Sequence, residues 1–201
     1  MALGRSIRRD FTTISVVLIP VAIAINIAVG QIVHLLQLPI FLDSIGTVLV
    51  GVLCGPWAGA LTGGLSNVIW GLTIDPSSLP WFPVAMFIGF MAGWCGTWGL
   101  FRVWWKVFLA GLAITAVSIV VSSIVNVTVF QGIAPYGSSL ITGFFLQTGQ
   151  SVWQAVIATN AIVEPIDKII TSFLAFGIAR GLSARYVARF PRAENVLGTG
   201  N

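Results

Sequence analysis

The sequence predicts an all-α integral membrane protein: one domain over residues 1–201, built as a six-transmembrane-helix bundle with both termini cytoplasmic. Three observations predict it. First, 57% of the 201 residues are apolar and only 8% are charged, against about 45–50% and about 25% in an ordinary soluble domain. Mean hydropathy is +0.97, and a water-soluble fold could not hide that much apolar surface. Second, the stretches 11–42, 44–74, 76–101 and 107–163 contain no Asp, Glu, Lys or Arg. A spanning helix needs about 20 such residues. Third, nine of the ten Lys and Arg residues stand at three places: Arg5, Arg8 and Arg9; Arg102 and Lys106; Arg180, Arg185, Arg189 and Arg192. That is the distribution the positive-inside rule leaves. It makes the pI near 9.7 a topology signal and removes nucleic acid as a partner.

The elements follow from breaks in these runs. The first helix is expected over 13–36, stopped by Pro39. It is too long for a secretory leader and lacks a small-residue cleavage site, so it reads as retained. The run 44–74 is too long for one span and short for two. Cys54-Gly55-Pro56-Trp57 in its middle is a turn signal, giving two under-length helices over 42–54 and 57–72 that should be buried among the others. Pro80 and Pro83 open a fourth helix over 81–101. A fifth covers 106–130. The sixth is expected over 165–183, with Glu164 at its cap and Pro165 in its first turn. The 131–163 stretch, broken by Gly132, Pro135 and Gly137 and carrying Gln147, Gln150, Gln154 and Asn160, is read as an outer loop or interfacial segment. Six spans put both basic ends and the Arg102–Lys106 break on one side, and Asp43, Asp75 and Glu164 on the other.

Small residues four apart let helix backbones approach closely. Such pairs are Ala24 and Ala28, Gly59 and Gly63, Gly89 and Gly93, and Gly177 and Gly181. Packing within the bundle is the ordinary reading of each. Around Ala24 and Ala28 the first helix is smooth enough to dock another protein as well.

The residue inventory argues against an enzyme. There is one histidine, His34, and no phosphate-binding G-x-x-x-x-G-K-[ST] loop. Cys54 and Cys95 have no metal-type spacing, so no catalytic residue, metal or cofactor is expected. A binding protein fits better, because polar residues inside spans are costly and mark function. They gather toward the outer half: Asp43 at the start of the second helix, Asn67 one turn from Trp70, Asn126 near the end of the fifth, and Glu164 with Lys168 at the sixth. Each keeps a plainer reading: helix cap, ion pair or interhelical hydrogen bond. Of eight tryptophans, Trp57, Trp94, Trp98, Trp104 and Trp105 read as a cytoplasmic aromatic belt. Trp70, Trp81 and Trp153 lie toward the outer face, either as belt or as walls that stack on a flat heterocycle.

The chain resembles the substrate-binding S components of energy-coupling factor (ECF) transporters. The likeness rests on its size, six helices, the A-x-x-x-A of Ala24 and Ala28, the stretch from Phe41-Leu42-Asp43-Ser44 through Gly55-Pro56-Trp57 to Ser66-Asn67, and Glu164-Pro165-Ile166-Asp167-Lys168. The stretch from Phe41 to Asn67 looks like the riboflavin-transporter-like branch. The resemblance implies a subunit of a bacterial or archaeal cell membrane that captures a vitamin-like small molecule from outside. It implies docking through Ala24 and Ala28 on a transmembrane coupling subunit driven by two cytoplasmic ATPase subunits. The ligand-binding candidates Asp43, Asn67, Trp70, Trp81, Asn126, Trp153, Glu164 and Lys168 rest on depth and polarity alone. A membrane sensor using the same pocket without transport is the alternative. A small secondary transporter is a third reading, weakened by the lack of an inverted repeat.

Overall fold

The structure is a computed structural model that describes residues 7–198, so Arg5 lies outside the described residues. All regular structure in that range is helical. The elements are α1 (Thr13–Leu35), α2 (Ile45–Cys54), α3 (Pro56–Thr73), a 3-10 turn (Pro76–Trp81), α4 (Phe82–Thr97), α5 (Trp104–Phe130), α6 (Ser139–Gln147), α7 (Val152–Gly181), and the short α8 (Ala184–Val187) and α9 (Glu194–Leu197).

Local chemistry explains the boundaries. Thr12 caps α1, its hydroxyl accepting from Ser15 N at 3.4 Å. Gly55 breaks α2 from α3 with φ +120°, a backbone state that glycine tolerates at least cost, and Pro56 follows at the start of α3. Asp75 caps the 3-10 turn, its carboxylate accepting from Ser77 N. The chain leaves α4 at Trp98 and Gly99, the latter with φ +72°. The fourth helix therefore ends at Thr97, short of the expected 101.

The expected start of the last helix is corrected. Helix α7 begins at Val152, and Glu164 and Pro165 lie in its interior. Its true start is a capping box: Ser151 Oγ accepts from Gln154 N at 3.4 Å, and Gln154 Oε1 accepts from Ser151 N at 3.0 Å. That satisfies two end donors at once. Pro165 removes one interior donor, a loss the rest of a 30-residue helix absorbs. The 131–163 stretch is thus not a single outer loop: it holds the short helix α6 and the first twelve residues of α7.

Three helical segments are long and apolar enough to cross a membrane: Thr13–Leu35, Pro76–Thr97 and Trp104–Phe130. The ten-residue α2 would span only about 15 Å, and every one of its residues is buried. Helix α7 is inside-out relative to a helix of a soluble protein. Its buried face carries Asn160, Glu164, Asp167, Lys168, Thr171 and Ser172, while Ile162, Ile166, Ile170, Leu174 and Ile178 point away from the bundle. In water the apolar row would turn inward; an outward apolar row is compatible with a helix that faces lipid.

Glycines seat the helices against one another. A Cβ on Gly89 would fall 2.2 Å from Gly59 O, and one on Gly63 2.2 Å from Ala85 O, so α3 and α4 touch backbone to backbone. Gly46 packs in the same way on Ala22 O, joining α2 to α1. The pair Gly177 and Gly181 does not do this: nothing stands within 4 Å of an added Cβ on either. Buried Asn26 ties three helices together. Its Nδ2 donates to Thr47 Oγ1 (2.8 Å) and Ser66 Oγ (2.9 Å), and its Oδ1 accepts from Gly46 N (2.7 Å).

The three basic clusters meet at one end of the bundle. Arg192 pairs with fully buried Asp10 at 2.9 Å, Arg9 pairs with Glu194 at 2.7 Å, and Arg180 donates to Arg102 O. Asn195 Nδ2 donates to Val52 O beneath them.

Candidate functional site

At the other end of the bundle the helices surround a cavity of about 650 Å³, its open mouth included. Six of the eight ligand-binding candidates line it: Asp43, Asn67, Trp70, Trp81, Glu164 and Lys168. They arrive from four directions, namely the α1–α2 connection, the second half of α3, the junction of the 3-10 turn with α4, and the middle of α7.

The floor is ionic. Lys168 Nζ stands in direct contact with Asp167 and 3.6 Å from Glu164 Oε2. Glu164 Oε2 also accepts from Ser118 Oγ at 2.6 Å, which ties α7 to α5. Asp167 points away from the cavity. Its Oδ1 accepts the backbone N–H groups of Phe41 (2.9 Å) and Leu42 (2.8 Å), so α7 holds the α1–α2 connection in place. Leu42 has φ +51°, the left-handed region that costs a branched residue most, and those two hydrogen bonds help hold it there. Asp43 accepts from Ser44 Oγ at 2.7 Å. Burial pushes its carboxyl above the ordinary carboxylate range, against the pull of the Lys168 ammonium.

The walls are aromatic. Trp70 is buried, lies against Gly30, and donates from Nε1 to Gln31 Oε1 at 2.9 Å. Trp81 stacks on Phe130 with ring centroids 5.4 Å apart and planes 13° apart. Tyr136 stands edge-on to Trp81 and to Phe41, and the Lys168 ammonium lies over the Phe41 ring at 5.7 Å. The phenol of Tyr136, pushed up to about 12 by burial, stays neutral and shares a 3.2 Å hydrogen bond with Ser77 Oγ.

The roof is a latch of loops. His34 Nε2 lies 3.0 Å from Pro135 O and His34 Nδ1 lies 3.2 Å from Asp75 Oδ2. The end of α1 thereby touches both the connection after α5 and the 3-10 turn. Beyond the facing pair His34 Nδ1 and Asp75 Oδ2, the buried Ser78 Oγ and Trp81 Nε1 make no hydrogen bond among the described residues. Native proteins rarely leave such atoms unsatisfied, and here both belong to residues that border the empty space.

Two candidates fall elsewhere. Trp153 sits in the first turn of α7, 47% exposed, about 16 Å along the helix axis from Glu164. Asn126 is buried in α5 but does not line the cavity; Ser122, one turn earlier, does. Phe41, Ser78 and Tyr136 also line it and were not among the candidates. A signal existed for Tyr136, an aromatic ring between Pro135 and Gly137 in a turn that had to close over something. Ala24 and Ala28 are exposed on the outer face of α1. Among the described residues no group of three or more His, Cys, Asp or Glu could hold a metal ion.

Comparison with protein-family models, with curated proteins and with solved structures finds no match for this chain.

Proposed function

We propose that this protein is the substrate-capture subunit of an ATP-driven micronutrient importer, an ECF-type S component that takes a small heterocyclic ligand from outside the cell. The observation that carries the reading is the cavity: a roofed space at one end of a lipid-facing bundle, walled by tryptophans, floored by buried ions, and bordered by polar atoms with no internal partner. Ligand sites have this form, mostly apolar with a few placed polar groups. The basic clusters at the opposite end fit a cytoplasmic face, which turns the cavity outward. The chain carries no ATP-binding loop, so energy has to come from partner subunits. The smooth exposed patch of α1 at Ala24 and Ala28 fits the place where a coupling subunit would dock.

The test begins with the full-length protein purified in detergent. Denaturation followed by mass spectrometry of the released small molecules is expected to yield a planar heterocycle in stoichiometric amount. An empty protein whose tryptophan fluorescence also ignores a panel of vitamins and their precursors refutes the reading. Ligand binding with no coupling subunit on co-purification would favour the sensor alternative.

A further inference from the structure

The distribution of charge around the cavity points to the class of ligand, and the inference rests on the capture reading above. Of the six acidic residues in the chain, four gather at this end: Asp43, Asp75, Glu164 and Asp167. Of the Lys and Arg side chains among the described residues, only Lys168 does. The internal pairings leave this imbalance in place. Asp167 is satisfied by two backbone N–H groups and by Lys168. Asp75 is held by Ser77 and faces His34. That leaves Lys168 as the one full cation beside two lining carboxyls, Glu164 at 3.6 Å and Asp43, whose only side-chain hydrogen bond among the described residues comes from the Ser44 hydroxyl. One ammonium shared among buried carboxyls leaves acceptors incompletely satisfied, and such a site is tolerated where something supplies the missing donors.

The second observation is independent of the acids. Ser78 is 1% exposed and lines the cavity, yet among the described residues its Oγ makes no hydrogen bond of ordinary length, although the Tyr136 phenol stands near it. The Nε1 of Trp81 has none either, and an indole N–H can only donate. The cavity thus offers carboxyl acceptors on the side of Asp43 and Glu164, and donors on the side of Ser78 and Trp81. The rings of Trp70 and Trp81 belong to the same lining. An aromatic face attracts positive charge as well as another ring.

We infer that the cavity selects a planar nitrogen heterocycle bearing a positive charge or an exocyclic amine, its charged or N–H edge toward Asp43 and Glu164 and an acceptor atom toward Ser78 and Trp81, and that it rejects anionic rings of the same size. A ring carrying a carboxylate would set another acidic group against Asp43 and Glu164, with only the already paired Lys168 ammonium to receive it.

The test uses three probes built on one pyridine ring: the cationic N-methylpyridinium form of nicotinamide, neutral nicotinamide, and anionic nicotinate. Each is titrated by tryptophan fluorescence into the full-length protein stripped of native ligand. The cation is expected to bind at least about tenfold tighter than the neutral ring, with nicotinate weakest. Asp43→Asn and Glu164→Gln are each expected to cut the cation preference by about tenfold, with size-exclusion profiles reporting whether the variants fold. Should either variant fail to fold, the wild-type probe series and the charge class of the natively released ligand decide. Neutral or anionic probes binding as tightly as the cation, or a native ligand that is anionic and lacks an amine, overturns the inference and leaves the capture reading standing. No bound native molecule and no response to any ring overturns both.

Discussion

The close seam between α3 and α4 is a quantitative claim that one methyl group can test. A Cβ on Gly89 would stand 2.2 Å from Gly59 O and 2.3 Å from Gly59 C, with Ala60 N at 2.8 Å. Ordinary contact begins near 3.4 Å, so Gly89→Ala asks the two helices to part by about 1.2 Å. The obstructing atoms are backbone, and no side chain can swing aside. Overpacking of this kind costs about 1–3 kcal/mol, and a rigid seam belongs at the upper end. Alanine regains about 1 kcal/mol of helix propensity, leaving a net loss of about 2 kcal/mol. For a chain of this size that lowers Tm by about 4–8 °C.

The assay is thermal unfolding in detergent followed by size exclusion, with Gly177→Ala as the internal control. Nothing stands within 4 Å of a Cβ at Gly177. The same chemical change there should therefore keep only the propensity gain, leaving Tm unchanged or raised by about 2–4 °C. The comparison cancels detergent effects, which act on both variants alike. A Gly89→Ala protein as stable as Gly177→Ala would refute the seam.

The other predictions concern the cavity, its opposite end and the outer face of α1. Trp70→Ala and Trp81→Ala should each weaken binding of the native ligand by about tenfold or more, since a stacking ring is worth about 1–3 kcal/mol. Trp153→Ala should leave affinity unchanged in the same titration, and a loss there would put the cavity in the wrong place. Asp10→Ala removes the partner of Arg192 at a site where Asp10 is fully buried. Breaking a buried pair from one side costs about 3–5 kcal/mol, so the variant should unfold well below the wild type. Ala24→Trp and Ala28→Trp should abolish uptake and co-purification with a coupling subunit while ligand affinity stays intact; co-purification that survives both changes would remove the docking assignment.

The sequence was most legible where lipid makes charge scarce. Helix starts and stops at Thr13, Gly55, Pro56 and Phe130 follow from capping, proline and glycine chemistry that acts within one turn, and each lies within two residues of the expected break. The failure at α7 came from the same reasoning. A glutamate followed by a proline has the form of a helix start, and Pro165 was assigned to a first turn that it does not occupy. The competing signal was Ser151 with Gln154, a capping box thirteen residues earlier, hidden in a stretch whose glutamines suggested a loop. Once α7 is extended, Asn160, Glu164, Asp167 and Lys168 fall on one buried face; of the polar residues of the supposed loop Asn160 joins the core, while Gln147 and Gln154 stay exposed. The site was partly legible for a related reason. Depth along a helix can be read from the chain, which brought six of eight candidates to the cavity, but depth does not give direction. Asn126 has the right depth and points elsewhere. Trp153 lies on a turn of α7 that runs past the cavity walls. Phe41, Ser78 and Tyr136 come from connections, where no periodicity announces which way a side chain faces.

Helix α1 joins the two ends of the proposed cycle, and its geometry gives a physical route between them. Its outward face carries Ala24 and Ala28, while Asn26, midway between them in sequence and on the buried face, is locked to α2 and α3 by three hydrogen bonds. One turn further on, Gly30 lies against the ring of Trp70, and Gln31 holds the indole N–H of that same ring. His34 then reaches the roof at Pro135 and Asp75. A partner that bends or rotates α1 would act on the Asn26 anchor first. Because packed helices shift as rigid pieces, it would then displace a cavity wall and two roof contacts together. Docking and ligand release would be coupled through one helix and the side chains it carries into the bundle. Pro20, a turn before the docking face, weakens the helix ladder at the place where such a bend would start.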